Sequence, residues 1–493
     1  MKRFEALGLF VAIAALAGCG SGTTPATGSA PAARPIQHIV IMMQENRSFD
    51  NVFAGFPGAD TTLEGACLPA PWCKGSHMIK LHSVLLESYK GGAKIGKDLD
   101  HSHRGFGIEC NANKANVCQN DGFDLINFGE SGQSAPARTY PYAYIDRKES
   151  APYWTLAKQY TLADKMFFTE TASSFIAHQS ILAGTVEISS DSSLTDQPNN
   201  TPWGCDGPGP HNNNQHDQYT WTPLLFKDGR YKVDGMFPCF SQYATMADLL
   251  DAKNFSWKFY VDSFKAGPDF DFSGAVWDGF DAIKKVACPT GHLSPSGGKY
   301  FCNRGRDWKN VSIPNTSFFS AISSGTLPSV SWVIPSLHDS DHPASGCNGG
   351  PWWVTKVVNA VGTSKYWKNT AIILIWDDWG GWYDNVPPDQ ITYTRLGFRV
   401  PMVVISPFAK PGAISHTQYD TGSILRFVEE NFGLGSLGTT DASSTSIGDI
   451  FNYRQKPNKF VPAREPPVLN CGKIHTGPAS MQEIIREDGG IPE

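Results

Sequence analysis

The chain has 493 residues, a formal net charge of −6, only 18% charged residues and no long basic run, which argues against nucleic acid as a partner. Gly (48), Pro (34) and Trp (14) are abundant, which fits a loop-rich extracytoplasmic enzyme better than a helical bundle. No internal repeat is visible.

Residues 1–18 read as an export signal. Lys2 and Arg3 precede an apolar run over 7–17, and Leu16-Ala17-Gly18-Cys19 follows. That run is too short to span a bilayer stably. A Cys directly after Leu-Ala-Gly resembles a bacterial lipoprotein signal. This implies cleavage before Cys19, acylation of its thiol, and a lipid anchor in the cell envelope. Gly20, where Asp would favour the inner membrane, points to the outer membrane. Residues 19–34 are rich in Gly, Ser, Thr, Pro and Ala and read as a flexible tether. Residues 35–493 suit one large α/β domain or two.

The body opens with an apolar strand over 36–43 that stops at Gln44-Glu45-Asn46-Arg47-Ser48-Phe49-Asp50. A loop-rich stretch from 51 to about 151 holds four Cys and Asp98-Leu99-Asp100-His101-Ser102-His103. Helical spacing follows over 153–160, and again over 175–183, closed by Gly184. The polar region 186–243 reads as an insertion or cap, and a composite segment continues to about 315, with a strand over 256–261; together these make 186–315 the expected insertion. Then come a strand over 330–335, a helix over 352–361, and the two clearest buried strands, 370–376 and 399–406. An amphipathic helix over 421–432 turns Ile424, Leu425, Phe427 and Val428 inward. Strands alternating with helices predict a three-layer α/β/α fold around a mostly parallel sheet.

Eleven Cys less Cys19 leave ten, an even number in an exported chain, which predicts disulfides. Near neighbours give Cys67–Cys73, Cys110–Cys118, Cys205–Cys239 and Cys288–Cys302, leaving Cys347 with Cys471.

The strand over 370–376 ends at Asp377-Asp378-Trp379-Gly380-Gly381-Trp382-Tyr383-Asp384. Buried parallel strands read as continuous apolar runs, and ligands sit beyond their carboxyl ends. Side by side, the two strand ends would gather Glu45, Asn46, Asp377 and Asp378, hard oxygen donors suited to a divalent cation. Adjacent carboxylates repel and so favour a cation between them. Ser174 begins the helix over 175–183, where backbone amides can hold an anion. It is a candidate nucleophile beside a metal, with Ser173 as a rival and a plain helix cap as the bland reading. His178 lies one helical turn on, placed to touch a phosphate oxygen. His101, His342 and His416 occupy loops and are candidate phosphate ligands or general acids.

These blocks resemble the bacterial phosphoesterase family that holds non-specific phospholipase C and acid phosphatase A, within the alkaline-phosphatase-like superfamily. The matching blocks are 38–50, Asp100-His101-Ser102, 172–184, Asp341-His342-Pro343, 376–384 and 400–432. The resemblance implies an alkaline-phosphatase-like fold with disulfide-braced insertions. It implies metal binding by Glu45, Asn46, Asp377 and Asp378, with Ser174 as nucleophile and His101 and His342 near the phosphate. His178 falls where relatives carry His, Arg or a related residue. Many members have Asp-His-Thr-Ser near the last helix; this chain has Asp420-Thr421-Gly422-Ser423, so no histidine role carries over there.

The expected activity is metal-dependent hydrolysis of phosphoric esters through a phosphoseryl intermediate, of phospholipase C type, with His101 or His342 protonating the leaving oxygen. An acid phosphatase acting on monoesters and a non-catalytic surface-binding lipoprotein are the alternatives. The cofactor is a divalent ion, Mg²⁺, Ca²⁺, Mn²⁺ or Zn²⁺. The expected partners are a phospholipid or small phosphate ester, and a membrane through Cys19. No protein partner is expected.

Overall fold

The computed structural model describes residues 35–467 except 76, 87–88, 91–92, 95–97, 130–134, 197–204, 206–220, 237–238, 266–270, 272, 291–292, 297–298, 302, 344, 346–347 and 390–394. The leader, Cys19 and the tether lie outside these residues, as do Cys302, Cys347 and Cys471 of the two remaining pairings. Among the described residues no helix is long and apolar enough to cross a membrane.

Eight strands form the central sheet: β1 (His38–Gln44), β2 (Thr161–Ala163), β3 (Trp257–Tyr260), β4 (Val311–Ser312), β5 (Val330–Val333), β6 (Thr370–Trp376), β7 (Met402–Ile405) and β8 (Ile414–Ser415). Their order is β4-β3-β5-β1-β6-β7-β2-β8. Only β7 runs against its neighbours; every other pairing is parallel. β1 and β6 lie at the centre, and all seven residues of β6 are buried. That burial on both faces is why their sequences read as unbroken apolar runs instead of alternating ones.

The principal helices are α1 (Phe49–Phe53), α2 (His103–Cys110), α3 (Ala151–Gln159), α4 (Ser174–Ala183), α5 (Met246–Ala252), α6 (Ser317–Ser324), α7 (Gly349–Gly362) and α8 (Thr421–Phe432). α3, α6 and α7 pack together; α4, α5 and α8 form a second set. Consecutive residues of β3 show that the two sets cover opposite faces. Phe259 meets Phe280, on the turn that packs against α4, with ring centroids 5.4 Å apart, and Tyr260 meets Phe318 of α6 at 5.3 Å. The result is the three-layer arrangement that the alternating pattern predicts.

The stretch over 186–315 is not one body. Its first part forms a separate antiparallel sheet of Glu187–Ser189, Ser192–Leu194, Trp221–Phe226 and Tyr231–Met236. Its later part supplies β3 and β4 to the central sheet. Disulfides close Cys67–Cys73, Cys110–Cys118 and Cys205–Cys239, as near-neighbour pairing anticipates. The first two sit in a satellite core with Phe106, Phe123, Tyr142, Trp379, Tyr383 and Phe398. The loop-rich stretch after β1 is thus packed against the Trp-Gly-Gly-Trp-Tyr segment that follows β6.

Candidate active site

β1 and β6 are in parallel register along their whole length, from His38 opposite Thr370 to Gln44 opposite Trp376. Their ends are therefore level, and Glu45-Asn46 stands beside Asp377-Asp378. The backbone ties the ends together: Asp377 N donates to Gln44 O (2.9 Å), Arg47 N to Asp378 O (3.0 Å) and Asn46 N to Asp377 Oδ1 (2.8 Å). Asn46 has φ +55°, a left-handed conformation that Asn adopts more readily than most residues. Gly380 has φ +61°, and a Cβ there would lie 2.3 Å from Asn46 O. Glycine at 380 meets both requirements, the backbone angle and the close approach.

Ser174 is the first residue of α4, and Ser173 is its cap. Ser174 Oγ lies 3.3 Å from both Asn46 Oδ1 and Asp378 Oδ2. Ser173 Oγ, by contrast, is buried with no hydrogen-bond partner. The other oxygen of Asp378 accepts from Gly380 N (2.7 Å), which fixes the carboxylate. Asn46 Nδ2 donates to His101 Nε2 (3.0 Å), while His101 Nδ1 donates to Leu99 O (2.7 Å). This pattern sets the neutral Nδ1–H tautomer of His101 and turns Asn46 Oδ1 towards Ser174. Trp379 meets the His101 ring edge-on at 6.5 Å and donates its Nε1–H to buried Glu109 (2.7 Å).

His178, one turn along α4, donates Nε2–H to Glu45 Oε1 at 3.1 Å. Burial lowers its pKa to about 4, against the pull of Asp377, so the ring is neutral. Glu45, His178 and Asp377 each offer a ligand atom, all within 4.8 Å of one another. The structure thus places His178 among the oxygen donors, where the sequence put it against phosphate. Asp377 Oδ2 and His178 Nδ1 are buried with no hydrogen-bond partner. Such orphaned atoms beside clustered carboxylates fit a divalent cation; the carboxylates suit Mg²⁺, Ca²⁺ or Mn²⁺, and an imidazole in the set suits Zn²⁺.

His342 is not bonded to Ser174. Its Nδ1 donates to Pro343 O (2.6 Å), and its ring packs against Trp277 at 6.1 Å. His416 is 60% exposed and pairs with Asp164 (2.8 Å) next to edge strand β8, away from the cluster.

Two buried arginines brace the site: Arg47, within the first motif, and Arg399, outside both. Arg47 donates through Nε (2.9 Å) and Nη2 (2.6 Å) to Asp341 O and lies over the Trp382 ring at 5.0 Å. Burial raises the Asp341 carboxyl to about 6, opposed by Arg47 and by hydrogen bonds from Tyr153 and Trp376. Arg399 clasps Asp384 (2.9 and 3.2 Å) and lies 3.7 Å from Asp50. Asp50 and Asp384 are the last residues of the two site motifs, so one cation fastens the far end of each.

The chain is similar to several phospholipases C. The chain is 24% identical over 454 residues to the non-hemolytic phospholipase C of Burkholderia pseudomallei, covering 83% of this chain and 57% of that protein. It is 25% identical over 482 residues to phospholipase C B of Mycobacterium tuberculosis, covering 88% of this chain and 81% of the relative. The chain therefore spans little more than half of the Burkholderia protein. A solved Vibrio parahaemolyticus protein of the alkaline phosphatase superfamily superposes with TM-score 0.31 and 11% identity, over 61% of this chain and 65% of its own. The sequence pattern of the phosphoesterase family matches residues 36–435, from before β1 to beyond α8, and the chain belongs to that family.

Proposed function

We propose that the protein is a metal-dependent phosphoesterase of phospholipase C type that works through a phosphoseryl intermediate on Ser174. The observation that carries the reading is the position of Ser174 Oγ. It sits at a helix N-terminus, 3.3 Å from Asp378 Oδ2 and Asn46 Oδ1, beside a buried carboxylate cluster. Glu45, Asn46, Asp377 and Asp378 would hold the cation, with His178 alongside. A divalent cation held there supplies Lewis-acid charge that lowers the Ser174 hydroxyl pKa and offsets phosphate charge.

The chain's own residues do the rest. Asp378 Oδ2 takes the Ser174 hydroxyl proton, which frees an Oγ lone pair for phosphorus, while Asn46 Oδ1 orients the hydroxyl. The Oγ–P bond forms as the P–O bond to the leaving alcohol breaks in line. The α4 amides and helix dipole face the anionic phosphoryl group. His101 orients Asn46. The leaving oxygen takes its proton from His342, through Nε2 because Nδ1 is held by Pro343 O. Water then attacks phosphorus and gives one proton back to His342, while Ser174 Oγ regains its proton from Asp378 as the Oγ–P bond breaks and the phosphate product leaves. The basic leader and Cys19 support export and lipid anchoring, which would put the enzyme beside its lipid.

The test is turnover of p-nitrophenyl phosphorylcholine and p-nitrophenyl phosphate by the wild type and by Ser174→Ala. Loss of one nucleophile removes at least ~10³-fold in rate. Wild-type turnover of the choline diester, lost in the variant, supports the reading. Turnover of the monoester alone would move it to acid phosphatase. Full activity of Ser174→Ala would overturn the phosphoseryl step, and no turnover of either substrate with metal bound would favour a binding protein.

A further inference from the structure

Trp277 comes from the stretch that reads as an insertion, yet it is fully buried between two of the site's histidines. Its indole lies nearly parallel to the His178 imidazole, at 13° and 6.2 Å between centroids, and its ring meets His342 at 6.1 Å and 44°. The turn that carries it is built to approach α4 closely. A Cβ on Gly279 would lie 2.6 Å from His178 O, and Gln179 Nε2 donates to Gly279 O. The next residue, Phe280, stacks on Trp257 (4.9 Å) and packs edge-on to Trp332 (5.9 Å), which anchors the turn to β3 and β5.

We infer that Trp277 is a positioning residue that sets the ring plane of His178 and its spacing from His342. The inference rests on the phosphoesterase reading above. The physical need is specific. The His178 ring has one hydrogen-bond contact, Nε2 to Glu45, and its Nδ1 has none. One hydrogen bond leaves a ring free to rotate about its own axis, whereas an aromatic face against it fixes the plane. Groups that orient a metal-site histidine without touching the metal commonly change affinity or activity by ~10–100-fold when removed. Trp277 also joins α4, which carries Ser174, to the loop of His342, so the spacing of nucleophile helix and acid loop passes through one side chain.

The experiment compares Trp277→Leu and Trp277→Phe in the mature protein. It measures kcat, KM and Mn²⁺ affinity by calorimetry, with circular dichroism as the check on folding. The leucine variant should lose ~10-fold or more in kcat with KM nearly unchanged, and should bind Mn²⁺ ~10-fold more weakly. The phenylalanine variant should recover most of both. A folded leucine variant with wild-type kcat and Mn²⁺ affinity overturns the inference, as does an equal loss in both variants, which would mean that volume alone matters. If the leucine variant does not fold, NMR of ¹³C-histidine wild type decides. The His178 ring protons, assigned by their loss in His178→Gln, should be shifted upfield by the indole, and unshifted signals sink the stack. Failure of the phosphoesterase reading shows itself separately: Ser174→Ala would keep its activity while the Mn²⁺ affinity of Trp277→Leu still fell.

Discussion

At the scale of single residues, the site depends on conformations few side chains tolerate. Gly380→Ala should destabilise the protein by at least ~1–2 kcal/mol, the cost of a left-handed backbone in an ordinary residue. It should also lower kcat, because the new methyl meets Asn46 O and moves the amide that faces Ser174. Denaturant melts with kinetics check both, and an unchanged kcat would mean that Asn46 does not depend on this approach. A second residue-scale prediction concerns pH. Glu170 is buried, accepts from Ser180 Oγ at 3.0 Å, and has its pKa raised to about 8, chiefly by burial. The folded state then holds a proton that the unfolded chain gives up near pH 4.5, so stability falls as pH rises from about 4.5 to about 8. Glu170→Gln removes that loss. It should stabilise the protein relative to wild type by on the order of 5 kcal/mol above pH 8 and by little at pH 4. Melts at the two pH values decide it.

At the scale of elements, the fold is held at the motif ends by Arg399. Its guanidinium donates to Asp384, to the backbone oxygens of Asp60 and Asp164, and to Asn385, and it lies over the Phe49 ring at 4.3 Å. Burial and the neighbouring Asp384 raise Asp50 to about 7, with Arg399 opposing. Arg399→Met should cost ~3–5 kcal/mol, because it leaves two buried carboxylates without their counter-charge. The loss should be smaller at pH 5, where Asp50 holds its proton, and larger at pH 8; equal losses at both pH values would show that packing, not charge, dominates. How much of this was legible follows from the elements themselves. β1 and β6 stood out because burial on both faces makes their runs unbroken, and their ends changed abruptly to oxygen-bearing side chains. Arg399 opened a predicted strand, but nothing local paired it with Asp50 and Asp384. β3 is visible as the run over 256–261, but its place in the central sheet is not, and β4, of two residues, is too short for periodicity to register. Trp277 was hidden for the same reason: its partner His178 is remote in sequence, and its own segment has no regular pattern.

At the scale of the whole molecule, the two central strands end in like charges. Glu45, Asp377 and Asp378 are all buried at the same edge of the sheet, so folding brings together groups that repel in a poorly hydrated place. A cation bound there should therefore stabilise the entire fold. An ion present at 100 times its dissociation constant adds about 2.7 kcal/mol, a rise of a few degrees in Tm for a chain of this size. Protein stripped with chelator should melt lower, and titration with Mg²⁺, Ca²⁺, Mn²⁺ and Zn²⁺ should raise Tm in a concentration-dependent way. The ion that restores turnover should be among those that raise Tm. Asp377→Asn separates stability from function. It keeps the shape of the side chain, and its Oδ1 can still accept from Asn46 N, but it removes one of the repelling charges. The metal-free variant should melt at or above the metal-free wild type, should gain little from added ion, and should lose at least ~10²-fold in kcat. A variant with wild-type turnover and metal content would remove Asp377 from the ligand set. A variant that lost activity yet kept the full ion-dependent rise in Tm would show that the stabilising ion binds elsewhere.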